Sequence, residues 1–128
     1  MKNIVLLELN EINFDAVSFY IERGKCLPGF KKLIEKGIVI TEAESKYENL
    51  EPWVQWPSVH TGKTFEEHSV FRLGDFVNSS DEQFFEKVES AGFSVGAVSP
   101  MNASNKLKNP AYFIPDPWTK TPCDGSFF

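Results

Sequence analysis

Residues 79–98 read SSDEQFFEKVESAGFSVGAV, and this stretch indicates the fold class. The hydroxyl and acidic residues at 79–82 are typical of the first turn of a helix. Gly92 is placed to end that helix, and residues 93–98 follow as an apolar strand in which Gly96 indicates close packing or a bulge. We predict that the buried face of the helix consists of Phe84, Phe85, Val88 and Ala91.

Two further apolar runs, at residues 4–7 (IVLL) and 38–40 (IVI), are rich in β-branched side chains. Continuous apolar runs of this kind are typical of strands buried on both faces, as in a parallel sheet. Together with the run at 93–98 they alternate with helical patterns, which predicts parallel strands joined by right-handed crossover helices. The predicted fold class is therefore α/β, a partial three-layer αβα arrangement with a mainly parallel sheet.

Three helices are predicted before residue 63. Asn13 is the expected N-cap of the first, whose apolar residues recur at helical spacing until Gly24. The second has a comparable apolar stripe and ends at Gly37. The third is short, spans residues 57–61 and stops at Gly62.

The composition argues against several classes of partner and location. The net charge is −5 with no block of like charges, whereas binding to nucleic acid or to an anionic membrane needs a basic face. No apolar run approaches the ~20 residues of a membrane-spanning helix or suffices for a secretory signal, so we expect a cytoplasmic protein. Cys26 and Cys123 lack metal-ligand spacing and are expected to be reduced structural thiols. Residues 99–128 form a loop-rich tail punctuated by prolines.

Four segments resemble, in their order, the N-terminal part of type I phosphodiesterases and nucleotide pyrophosphatases in the alkaline phosphatase-like superfamily. They resemble the family's first strand, its Pro-x-Leu-x-x-Leu helix, its Thr-Gly box with a later His, and its Ala-Gly-aromatic strand entry. The segments are IVLLELNE (4–11), LPGFKKLIEKG (27–37), PSVHTG (57–62) followed by His68, and AGFSVGAV (91–98). The resemblance covers about residues 4–98 and implies that residues 1–128 form an incomplete domain whose remainder is missing.

The resemblance implies a hydrolase of phosphate or sulfate esters that uses two divalent metal ions, Zn or Mn. Two metals clamp the attacking and leaving oxygens, and a nucleophile at a helix N-terminus lies where backbone N–H groups favour an anion. The family's metal-ligand Asp falls on Asn10, and Glu11 is the carboxylate that would replace it, so both are candidate metal ligands. The family's other ligands would lie beyond Phe128, and this piece alone is expected to be inactive.

The family's nucleophile position falls on Pro52, which has no nucleophilic atom. Glu51 is the candidate catalytic residue, with three interpretations left open: a metal ligand, a covalent nucleophile, or an acid that starts a helix. Trp53, Gln55 and Trp56 are candidate substrate-binding residues, because an acid beside aromatic rings can form a pocket that stacks sugar rings or bases. A buried aromatic cluster that only shapes the loop explains the same three residues equally well.

Neither His60 nor His68 has a partner at the i+4 spacing of a helical metal pair. We expect His60 to be a packed, hydrogen-bonded residue inside its helix. His68 occupies the position of a His that is mostly structural in the family, and we expect the same role here.

Three functions are consistent with these features. The first is the N-terminal part of a metal-dependent phosphodiesterase- or sulfatase-type hydrolase that acts on a small-molecule ester. The second is a non-catalytic, ligand-binding pseudoenzyme of the same fold, whose Trp-lined pocket holds a sugar- or nucleotide-like ligand. The third is a self-contained small α/β domain with an unrelated role.

Overall fold

The structure is a computed structural model that describes residues 3–41 and 44–123. The chain divides into two compact units, unit 1 (Met1–Ala43) and unit 2 (Glu44–Phe128). Unit 1 contains helices α1 (Phe14–Glu22) and α2 (Pro28–Glu35). Unit 2 contains two short 3-10 turns, three helices and two strands: Tyr47–Asn49, α3 (Pro52–Thr61), α4 (Phe65–His68), Asp75–Asn78, α5 (Phe84–Ser90), β1 (Gly96–Val98) and β2 (Tyr112–Ile114).

The helices of unit 1 follow the local signals in the sequence. The Asn13 side chain accepts a hydrogen bond from the backbone N–H of Ala16 at 2.9 Å, which confirms it as the N-cap of α1. Pro28 occupies the first turn of α2, where its missing N–H costs nothing. Both predicted helices are therefore confirmed.

The strands predicted at residues 4–7 and 38–40 are wrong for the described structure, which has no regular element at either run. The side chains are solvent-exposed instead, to 92% at Ile4 and 91% at Val39. A strand needs a neighbouring strand for its backbone hydrogen bonds, and β-branched side chains favour a sheet only where a packed surface receives them. An apolar, β-branched run is therefore not sufficient by itself to form a strand.

Unit 2 contains a two-stranded parallel sheet in which Gly96 pairs with Tyr112 and Val98 with Ile114. The strand predicted at residues 93–98 is confirmed in its second half, and the sheet is parallel, but the partner strand is β2 and not one of the predicted strands. β2 was not predicted, because it is three residues long and lies in the proline-punctuated tail. The described chain thus combines helices with a small parallel sheet, as in the α/β class.

The core of unit 2 lies where α5 packs against this sheet. Phe85 meets Phe113 edge to face, with ring centroids 6.1 Å apart. Phe84 packs partly buried against the same cluster, as predicted, whereas Val88 and Ala91 are exposed and their predicted burial is wrong. The buried cluster consists of Phe85, Val95, Ala97, Ala103 and Phe113.

The N-terminus of α5 lies later than the sequence indicates. Ser79 accepts a hydrogen bond from the Asp81 N–H and so closes a local turn rather than capping a helix. The cap is Gln83, whose N–H and side-chain amide both donate to the Glu86 carboxylate, at 2.6 and 3.1 Å.

α3, with ten residues, is the longest helix in the described ranges, and no helix there is long and apolar enough to cross a bilayer.

Candidate functional site

The candidate catalytic residue Glu51 is the N-cap of α3. Its backbone is extended, with φ −63° and ψ 137°, and its carbonyl accepts hydrogen bonds from Val54 N–H and Gln55 N–H at 2.9 and 3.0 Å. The side chain is exposed and makes no capping hydrogen bond within residues 44–123. A solvent-accessible carboxylate therefore lies at the N-terminal end of α3.

The carbonyl of Trp53 lacks its usual helical hydrogen-bond donor because a proline lies one turn later in α3. Pro57 lies inside α3 and has no N–H to donate to the carbonyl of Trp53, four residues earlier. The side-chain amide of Asn102 donates to that carbonyl instead, at 2.7 Å. The half-buried Trp53 is therefore held by a residue 49 positions away in the chain, and the first turn of α3 is attached to the loop after β1.

Gln55 and Trp56, the other candidate substrate-binding residues, make contacts within the fold. The Gln55 side chain donates to the carbonyl of Asn49 at 2.5 Å. The Trp56 ring stacks on the ring of His60, with centroids 5.9 Å apart and planes 26° from parallel. Both side chains are half-buried, so these contacts favour a packed cluster at this point over an open aromatic pocket.

His60 joins α3 to α5. It is almost fully buried and lies 5.8 Å from the Phe84 ring and 5.3 Å from the Phe85 ring, measured between centroids. Its expected packing inside the helix is confirmed. An imidazole surrounded by aromatic rings on two helices contributes mainly to the core.

His68 bridges two segments with both ring nitrogens. Its Nδ1 accepts a hydrogen bond from the Val70 N–H at 3.0 Å, and its Nε2 lies 2.9 Å from Ser58 Oγ. Because Nδ1 must be unprotonated to accept, neutral His68 carries its proton on Nε2 and donates it to the serine. A serine whose oxygen accepts a hydrogen bond from the imidazole is not being activated as a nucleophile, so the pair is structural.

A polar cleft of about 590 Å³ lies beside His68. Its wall includes the carboxylates of Glu67, Asp75 and Asp81, and Asp81 also forms an ion pair with Lys63. The hydrogen bond from Lys63 lowers the pKa of Asp81 below its ordinary value. The cleft is thus acidic, with one of its carboxylates already neutralised by a lysine.

The candidate metal ligands Asn10 and Glu11 lie in unit 1, on an exposed turn where Glu11 has φ 57°. An amide and one carboxylate fall short of the three or four protein ligands that a zinc site requires. Within the described residues, no group of three or more His, Cys, Asp or Glu side chains could hold a metal ion. The described residues therefore do not fit the two-metal centre that the resemblance implies.

Two residues that organise this region were missed in the sequence. Asn102 is fully buried, with φ 52°, and its side-chain oxygen accepts from the N–H groups of Gly74 and Phe76 at 2.8 and 3.4 Å. Asp116 receives four hydrogen bonds, from Asn102 N–H, Trp118 N–H, and both the N–H and hydroxyl of Thr119. The proline inside α3 was the one available signal, because it predicts a carbonyl that needs a donor from elsewhere.

Comparison with known proteins gives no relative, since no protein-family model, no curated protein and no solved structure matches the chain.

Proposed function

We propose that this chain is the N-terminal part of a metal-dependent hydrolase of phosphate or sulfate esters and that Glu51 is its reactive carboxylate. The observation that carries the proposal is the position of Glu51, exposed at the N-terminus of a ten-residue helix with no capping bond to its carboxylate in unit 2. A substrate anion is favoured at such a helix end, and a carboxylate there can act as a base or a nucleophile.

The proposed architecture is an incomplete alkaline phosphatase-like domain with helices on both faces of a mainly parallel sheet. The parallel pairing of β1 and β2 supports it. Ligands for two divalent ions, beyond Asn10 and Glu11, would come from outside the described residues.

The non-catalytic alternative depends on Trp53, Gln55 and Trp56 as an open pocket. The hydrogen bond of Gln55 to the Asn49 carbonyl and the stacking of Trp56 on His60 oppose it. We therefore place the chemistry at Glu51 and assign the two tryptophans to the packing that supports the first turn of α3.

The decisive experiment measures hydrolysis by the complete gene product that contains this chain. Bis(p-nitrophenyl) phosphate and p-nitrophenyl sulfate are the substrates, assayed with added Zn²⁺ or Mn²⁺. We expect turnover in the wild type and a loss of about 10²-fold or more in Glu51→Gln, the size expected for removing a catalytic acid or base. The melting temperature should stay unchanged, because the exposed carboxylate makes no capping bond within unit 2.

Glu48→Gln is the matched control, since Glu48 is exposed in the preceding 3-10 turn and the charge change is identical. Its turnover should equal that of the wild type. Absence of turnover with every metal tested would overturn the proposal. Sugar or nucleotide binding that disappears in Trp53→Ala, again without turnover, would establish the non-catalytic alternative.

A further inference from the structure

We propose that His68 is a pH-sensitive latch that closes the turn at residues 68–70 and opens it when its imidazole is protonated. Residues 67–70 line the polar cleft, so opening of this turn changes the shape of that cleft. The inference is independent of the proposed hydrolase activity, because it depends only on contacts around one imidazole in unit 2.

The geometry suits only the neutral imidazole. With the proton on Nε2, the ring donates to Ser58 Oγ at 2.9 Å and accepts from Val70 N–H at 3.0 Å. A second proton must go on Nδ1, where it would point at the Val70 N–H, so that two donors face each other. Protonation therefore removes one hydrogen bond and replaces it by a repulsive contact, while the contact with Ser58 can remain.

The turn that the latch closes is strained. Ser69, between His68 and Val70, has φ 54°, a left-handed conformation that is unfavourable for a residue with a side chain. His68 is 6% exposed and Val70 is buried as well, so solvent has little access to the Val70 N–H while the turn stays closed. Loss of the bond to Nδ1 leaves a buried donor unsatisfied, and the turn relieves both costs by opening.

The charged groups around His68 do not reverse the preference of the closed turn for the neutral imidazole. Burial lowers the pKa of His68 from its ordinary value of 6.5, and the positive charge of Lys63 acts in the same direction. Asp81, Glu66 and Glu67 oppose these effects, and α3 contributes only the neutral hydroxyl of Ser58. A lowered pKa means that the open state binds protons more tightly than the closed state, so opening increases as the pH falls below 6.5.

The test combines two measurements on the full chain across pH 7.5 to 5. Nitrogen NMR of the ring should show the Nε2–H tautomer at high pH and a pKa below 6.5. Amide exchange should show the protection factor of Val70 falling through the same range. The factor by which the protection of Val70 falls between high and low pH should equal the ratio of the acid dissociation constants of His68 in the closed and open states.

His68→Asn provides the critical variant, because its side-chain oxygen replaces Nδ1 as acceptor for the Val70 N–H but does not titrate. Protection at Val70 should then be independent of pH over this range. Ser58→Ala should keep the pH dependence, since the serine tolerates both protonation states. A wild-type pKa at or above 6.5, or equal pH dependence in wild type and His68→Asn, would overturn the latch.

Discussion

At the scale of single residues, unit 2 is organised by buried polar side chains that replace missing backbone partners. The Asn102 side chain binds four backbone groups, donating to the carbonyls of Trp53 and Arg72 and accepting from the N–H groups of Gly74 and Phe76. Asparagine also tolerates the left-handed backbone found there better than most residues do. One residue thus attaches the first turn of α3 to two later loops.

Replacement of Asn102 by Ala should destabilise the protein by about 3 kcal/mol, because several buried backbone groups lose their partners at once. Urea unfolding followed by tryptophan fluorescence measures the loss. Asn109→Ala is the control, since Asn109 is exposed and should change stability by no more than about 0.5 kcal/mol. Equal stability of the two variants would contradict the role of Asn102.

At the scale of elements, the sheet depends on the absence of a side chain at Gly96. A Cβ atom built there would overlap the ring of Tyr112, the residue opposite it on β2. The aromatic ring thus covers the backbone of β1 at the glycine, which explains why a residue that usually weakens a strand occurs in this one.

Gly96→Ala should lower stability by about 2 kcal/mol, since the Tyr112 ring must swing away from the strand. Combination with Tyr112→Val should recover most of the loss, because the smaller side chain leaves room for the new methyl group. A double-mutant cycle isolates this contact, with the stability of the two single variants and the double variant measured by thermal unfolding. Gly29→Ala is the control, since a Cβ there meets nothing within 4 Å. Additive losses in the double variant would rule out the contact.

At the scale of the whole molecule, exposed apolar side chains dominate unit 1. Val17 is the buried hydrophobic residue among its described positions, while Ile4, Val5, Val39 and Ile40 are each at least 85% exposed. Contiguous apolar surface of this kind is typical of interaction sites or of aggregation-prone segments. The 128-residue chain should therefore self-associate through these runs.

The double change Val5→Lys and Val39→Lys should reduce self-association of the 128-residue chain without lowering its melting temperature, because both side chains are exposed. Sedimentation velocity over a concentration series measures the association. Val59→Lys is the control, since Val59 is 58% exposed on α3 in unit 2 and should leave association unchanged. A marked loss of stability in the double variant would contradict the exposure of the Val5 and Val39 side chains.

Local features of the sequence determined α1, α2 and the C-terminal end of α3, whereas α3 begins at Pro52 and not at residue 57 as predicted. The cap at Asn13, the left-handed Gly62 with φ 72° and the C-terminal end of α3 all depend on hydrogen bonds between residues at most four positions apart. Such bonds form wherever the local residues allow them, so position along the chain is enough to predict them. The start of α5 shows the limit, because its cap, Gln83, also donates to the distant Ser104 carbonyl.

Which apolar runs form strands, and what the candidate site residues contact, depends on packing between distant parts of the chain. The runs at 4–7 and 38–40 have strand composition but no ladder in the described chain, whereas β2 has a weak signal and pairs with β1. Likewise, Trp53 depends on Asn102 and His68 on Ser58. Strand pairing and buried polar contacts join residues that are far apart in the chain, so their free energy depends on a packed partner that no local pattern specifies.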